Sequence, residues 1–346
     1  MSSKRTRPVI TTAAAPAVTS ADASPSTEGR VLGPGIPPDL LLRQLHVVMG
    51  KGGVGKSMVS LGLALGLARR GKRVLLCQVN APDAHGPVLG TSVGSELKQV
   101  RLRLTAVNIE PRAALREYML MVVKFQKVYE AIFENRFVSY FLRFVPSLAE
   151  INMLGKVWFH AEEKDGARPR WDHIVVDAPA TGHGITFLKV ARVVSRTAPP
   201  GTLREQTDEM ARVVEDAART AVHVVTTPDE LSVMEAEELL RRLSDEKVAP
   251  LGTAILNRVP EGLFTGLPMD TMRRLQEHTE LGPLARLAVL RQREETAALA
   301  AGGRLVAHGL PLVMLPESPT ENFSLPDAEH LATALTVDAQ KVEAHS

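Results

Sequence analysis

The sequence predicts an α/β fold in which helices cover both faces of a mostly parallel sheet, and three observations carry that prediction. Short aliphatic and β-branched runs alternate with amphipathic stretches over most of the chain. A glycine-rich loop stands between the first such run and the first amphipathic stretch. The 346 residues, 45% hydrophobic and 23% charged, supply ample material for a large core.

Residues 1–39 are Ser, Thr, Ala, Pro and Gly with few large apolar side chains, so they are expected to form a disordered tail. The folded domain is expected over 40–346. Its strands are predicted at Leu45–Met49, Arg73–Val79, His173–Asp177, Ala221–Thr226, Gly252–Leu256 and Pro311–Leu315. Helices are predicted at Ser57–Arg70, Glu230–Asp245, Pro283–Ala301 and Asp327–Thr336, with Gly71 placed as a helix-terminating glycine. The rhythm breaks over about 111–161, which reads as helix upon helix. Ten of the 14 aromatic residues lie there, so it is expected to be a helical insertion with its own apolar surface. Those aromatics, with Met119, Met121 and Met153, either line a groove for an apolar protein client or pack the insertion down.

Composition narrows the function classes. Lys+Arg 41 against Asp+Glu 39 leaves a net charge of +2, which gives no strong sign of nucleic acid. The lone cysteine, Cys77, excludes a disulfide framework or a multi-thiolate metal site within one chain, and is expected to pack in the core. No apolar run reaches the roughly 18–20 residues of a transmembrane segment. The basic start has no apolar stretch behind it, so a cytoplasmic address is expected.

The chemistry lies in Gly50-Lys51-Gly52-Gly53-Val54-Gly55-Lys56-Ser57, which fits the pattern G-x-x-x-x-G-K-S/T between a strand and a helix. Glycines let successive main-chain N–H groups turn inward around phosphate oxygens, and the helix N-terminus adds its positive end. Lys56 is expected to reach the β- and γ-phosphates of a nucleotide, and the Ser57 hydroxyl to ligate Mg²⁺. Lys51 is a second cation that the general pattern does not require. It is either a solvated loop lysine or a further phosphate contact.

With Lys51 in place, the loop resembles that of the deviant Walker A P-loop ATPases, related to MinD and ParA. Asp177-Ala-Pro-Ala-Thr-Gly-His-Gly then resembles the switch motif of one branch, the ArsA and tail-anchored-protein-targeting ATPases. The resemblance implies ATP and Mg²⁺ as cofactors, and a homodimer in which Lys51 reaches the partner's nucleotide. It implies catalytic Lys51, Lys56 and Asp177, Mg²⁺ held by Ser57 and Asp177, and γ-phosphate sensed at Gly182. Asn257-Arg258 sits where the branch places its adenine reader, although a strand-end turn is the plainer reading of Asn257. His183 belongs to the switch motif in a structural or a catalytic part.

The sequence also departs from the family. The two acidic positions after the second strand fall on Asn80 and Pro87, leaving Asp83 as the nearby carboxylate and the expected water-positioning residue. The arsenite-binding cysteine trio and the paired zinc cysteines are missing. A second insert, at about Val190–Ala218, reads as shortened. The expected function is an ATP-hydrolysing dimeric switch that couples nucleotide state to a partner. The alternatives are a non-hydrolysing nucleotide-binding adaptor and a MinD- or ParA-like positioning ATPase.

Overall fold

The computed structural model describes residues 35–123, 148–262, 268–318 and 322–336. Eight of its strands are β1 (Leu45–Gly50), β2 (Val74–Val79), β3 (Lys98–Arg101), β4 (Leu104–Ile109), β7 (His173–Asp177), β8 (Thr220–Thr226), β9 (Leu251–Val259) and β10 (Leu312–Pro316). They form one sheet in the spatial order β10-β9-β8-β1-β7-β2-β4-β3. Every pairing is parallel except β3 against β4. Two-residue strands β5 (Lys164–Asp165) and β6 (Arg168–Pro169) make a separate hairpin.

Strands buried on both faces read as continuous apolar runs, and their alternate side chains feed two cores. Leu45, Val47 and Met49 of β1 join Ile174, Val176, Val222 and Val224 on one face. Val48 joins Val175 and Val225 on the other. The first face is covered by α5 (Leu148–Glu162), α6 (Thr181–Thr197), α7 (Thr202–Glu215), α8 (Glu230–Asp245) and α10 (Gly282–Val306). The second lies under α1 (Pro38–Leu41), α2 (Lys56–Arg69) and α11 (Leu325–Leu335). Short α3 (Gly86–Leu89), α4 (Pro111–Val123) and α9 (Met269–Leu275) complete the described helices.

α2 and α11 pack closely through two glycines. A Cβ on Gly62 would stand 2.7 Å from Leu331 Cβ, and one on Gly66 would stand 2.8 Å from Ala332 O. Such distances leave no room for a side chain. Gly71 terminates α2 at φ +81, as its position in the sequence suggested.

The expected tail is too long by several residues. Ile36 is buried, and its N–H donates to Leu335 O at 2.9 Å, because its apolar side chain has a place beneath α11. Residues 1–34 lie outside the described residues. β3 and β4 were not predicted, since polar Thr105 and Asn108 interrupt the apolar run of β4. Of the insertion, α4 and α5 bracket 124–147, which lie outside the described residues together with most of the aromatics. Met153 is buried in the main core rather than on a groove. The side chains of Met119 and Met121 are not among those described. Among the described residues no helix is long and apolar enough to cross a membrane. Cys77 is buried and free, and burial pushes its thiol up to about 12.

The second face carries a polar patch under its apolar cover. His46, His173 and His223 are buried side by side on β1, β7 and β8, with His46 Nδ1 3.2 Å from His223 Nε2. Burial lowers all three, and His223 falls from 6.5 to about 4. Unfolded histidines titrate near 6.5, so between that pH and about 4 the unfolded chain binds more protons than the folded one. Stability present above pH 6.5 is therefore lost as pH falls, by up to about 1.4 kcal/mol per pH unit for each ring. Melting temperatures measured from pH 7 to pH 4.5 should fall steeply, and a His223→Gln variant should fall less. Parallel curves for the two proteins would refute this assignment.

Candidate functional site

The order of strands fixes where a ligand can bind. From β1 the chain crosses to β2 on one side, and later to β8 on the other, so the loops after β1 and its neighbours open a crevice at their C-terminal ends. Gly50 closes β1 at φ +151 so tightly that a Cβ would lie 2.2 Å from Val225 O. Gly53 and Gly55 hold φ +89 and +93, and Gly55 leads directly into α2. Nothing lies within 4 Å of a Cβ placed on Gly52 or Gly53, so the loop keeps an open main-chain face.

Three of the expected site residues meet at that face. Lys56 Nζ donates to Lys51 O at 2.9 Å across the mouth of the loop. Asp177, the last residue of β7, accepts a hydrogen bond from the Ser57 side chain and lies near enough to Lys56 for the two charges to act on each other. Burial raises the Asp177 carboxyl to about 6, against the opposing pull of Ser57 and Lys56. Burial likewise lowers the Lys56 ammonium, while Asp177 raises it. A hydroxyl and a carboxylate beside an open ring of amides suit a hard cation on a polyphosphate, so these residues fit Mg²⁺ and a nucleotide tail.

Other expected residues are engaged elsewhere. Lys51 pairs with Glu235 of α8 at 3.1 Å, both side chains being partly exposed. Asn257 is buried at the end of β9 and donates Nδ2 to Val54 O at 2.8 Å, so it braces the loop from behind. Arg258 follows at φ +58 with its side chain exposed. Gly182 and His183 lie exposed in the first turn of α6, facing no side chain that would restrict Gly182.

Asp83, the expected water-positioning residue, is engaged within its own loop. Its Oδ1 accepts from Gly86 N at 2.7 Å and its Oδ2 from Val93 N at 2.8 Å, so the carboxylate ties its own loop together. Asn80 takes φ +50 at an exposed turn, a conformation asparagine tolerates better than most side chains. Two residues to which the sequence reading gave no role are buried here. Gln78 is buried and bonds Pro82 O and Ala84 N, holding the loop onto β2. His85 is fully buried with Nε2 3.5 Å from Asp177 Oδ2. The signal was present in Asp83-Ala84-His85, but spacing alone did not tell which of the pair turned inward.

The family profile for anion-transporting ATPases matches residues 43–200, which span β1, the loop, α2, β2, β7 and α6. Through this segment the chain resembles the anion-transporting ATPase family. Among relatives, it is 31% identical over 224 residues to the ATPase BagA of Mycobacterium tuberculosis, covering 62% of this chain and 65% of that protein. It is 26% identical over 302 residues to an arsenical pump-driving ATPase of Escherichia coli, covering 72% of this chain and 49% of the other. The ATPase GET3 of Kluyveromyces lactis matches at 26% over 158 residues, 43% of this chain and 45% of the relative. The chain thus spans less than two thirds of the length of these family members.

Proposed function

We propose that this protein is a cytoplasmic ATPase of the anion-transporting ATPase family that binds ATP with Mg²⁺, hydrolyses it, and works as a homodimeric switch. The observation that carries the reading is the convergence of Lys56, Ser57 and buried Asp177 on one open ring of main-chain amides. The names of the relatives agree with the reaction: each is called an ATPase.

Mg²⁺ held through Ser57 and Asp177 would neutralise charge on the phosphate oxygens. The rest falls to the chain itself. The amides of 52–57 bind the phosphate tail, and Lys56 supplies positive charge where negative charge develops as the bond to the γ-phosphate breaks. Asn257 and Gln78 keep the two flanking loops in place. Gly182, at the start of α6, is the backbone contact we assign to the γ-phosphate, and Asn257-Arg258 the edge of the base site. The helical region 111–161 is where a protein client would sit.

Calorimetry with ATP and Mg²⁺ beside a phosphate-release assay tests the reading. We expect binding, and turnover well above that of Lys56→Ala; absence of ATP binding refutes it. A second reading, a non-hydrolysing adaptor, has one observation in its favour: Asn80 replaces the family's acid while Asp83 is consumed by its loop. Binding with turnover at the Lys56→Ala background selects that reading.

The Lys51–Glu235 pair bears on the dimer. A partly exposed ion pair contributes up to about 1 kcal/mol, so Glu235 holds Lys51 back only lightly. Glu235→Gln should free Lys51 and tighten ATP binding up to about fivefold. A calorimetric affinity that weakens instead would mean that Glu235 itself supports nucleotide binding.

A further inference from the structure

The loop after β2 is fixed at many points, and its one fully buried ionisable side chain has no hydrogen-bond partner. Asn80 N–H donates to Ile109 O at 3.0 Å, Asn108 Nδ2 to Ala81 O at 3.0 Å, and Gln78 and Asp83 bind four further main-chain groups of the segment. Leu89 N–H donates to His85 O at 2.9 Å, which starts α3 and turns the His85 ring inward. The ring is fully buried, yet neither Nδ1 nor Nε2 makes a hydrogen bond. Leaving a buried polar atom unpaired costs about 1–3 kcal/mol.

The direction in which the ring points gives the reason. Nε2 stands 3.5 Å from Asp177 Oδ2, a few tenths of an ångström beyond a good N–H···O bond. A neutral imidazole donates from one nitrogen and accepts at the other. Asp177 bonds Ser57 as well, so one carboxylate joins the P-loop helix to the loop after β2.

We propose that His85 is the positioning residue for Asp177: with nucleotide bound, its Nε2–H closes onto Oδ2 and fixes the carboxylate for the cation, coupling the loop 80–93 to occupancy of the site. The proposal rests on the nucleotide reading above. It gives the loop a part in the reaction that Asn80 and Asp83 do not fill. His85 acts through Asp177 and does not itself touch the phosphates.

The test compares His85→Leu, which is apolar and fills similar space, with His85→Gln, whose side-chain amide can place an N–H near the position of Nε2. Three quantities are read for each: ATP affinity without metal by calorimetry, Mn²⁺ affinity of the ATP-loaded protein by electron paramagnetic resonance, and the Mg²⁺ concentration for half-maximal turnover. Loss of a hydrogen bond that orients a metal ligand costs about 10–100-fold in metal affinity. His85→Leu should weaken Mn²⁺ binding and raise the Mg²⁺ requirement by about tenfold or more, with metal-free ATP affinity unchanged. His85→Gln should recover most of the loss.

Unchanged Mn²⁺ affinity in His85→Leu overturns the proposal, as does His85→Gln behaving no better than His85→Leu. Should His85→Leu fail to fold, His85→Gln decides alone, because wild-type metal affinity is required of it. If the wild-type protein binds no ATP at all, the nucleotide reading has failed. If it binds ATP and only the metal comparison is flat, the fault lies with His85 alone.

Discussion

Lys56→Ala will lower ATP turnover by about 10²–10³-fold, the loss usual when a preorganised charge or donor is removed from a developing oxyanion. The ammonium is held at the mouth of the loop by Lys51 O, 2.9 Å away, so its position is set before any nucleotide arrives. Burial works against its charge and Asp177 sustains it. Lys56→Arg should not rescue turnover, because a planar fork cannot occupy the place of a compact ammonium on a short tether. The same substitution by alanine removes a counter-charge from Asp177, whose carboxyl already stands at about 6, and should push it higher still. Phosphate release measured for wild type, Lys56→Ala and Lys56→Arg checks the prediction. Turnover in the alanine variant within threefold of wild type would show that hydrolysis does not run through this loop.

Gly50→Ala should damage the fold itself. The added methyl would stand 2.2 Å from Val225 O, a main-chain atom at the β1–β8 seam that has no side-chain freedom to yield. The φ of +151 adds strain that alanine avoids. A loss of about 4 kcal/mol or more places the variant among the severe single substitutions. At about 2–4 °C per kcal/mol for a chain of this class, the melting temperature should drop by roughly 10 °C. Gly52→Ala is the control, since nothing lies within 4 Å of its Cβ and its φ is not positive. It should melt like wild type and lose ATP affinity only, because its methyl projects onto the face that phosphates approach. Equal melting temperatures for the two variants would refute the assignment of Gly50 to the seam.

How much of this could be read from the sequence follows from how local each signal is. The six strands anticipated around the phosphate loop are all present, with ends shifted by a residue or two apart from the longer β9, because each is a continuous apolar run between turn residues. Gly50–Ser57 was readable for the same reason: loop, strand and helix are adjacent in the chain. β4 was missed because Asn108, buried but polar, is there to hold Ala81 O, a purpose no local pattern announces. Asn257 braces Val54 across 203 residues of sequence, and Lys51 meets Glu235 across a comparable span. Such pairings arise from the order of strands, which periodicity does not encode. Asp83 and His85 differ by two positions. Only the turn into α3 decides that one fastens the loop and the other faces Asp177.

The seating of α11 in the two glycine notches of α2 has a mechanical consequence. α2 begins at the residues proposed to hold phosphate and runs, with glycines at the contact, beneath α11. A shift at its first turn must therefore travel along a stiff rod to Leu331, Ala332 and the anchoring of Ile36 on Leu335 some four turns away. Wedging that far joint, with a methyl on Gly62 or Gly66, would report at the opposite end of the rod as altered nucleotide grip, although neither position comes near the nucleotide.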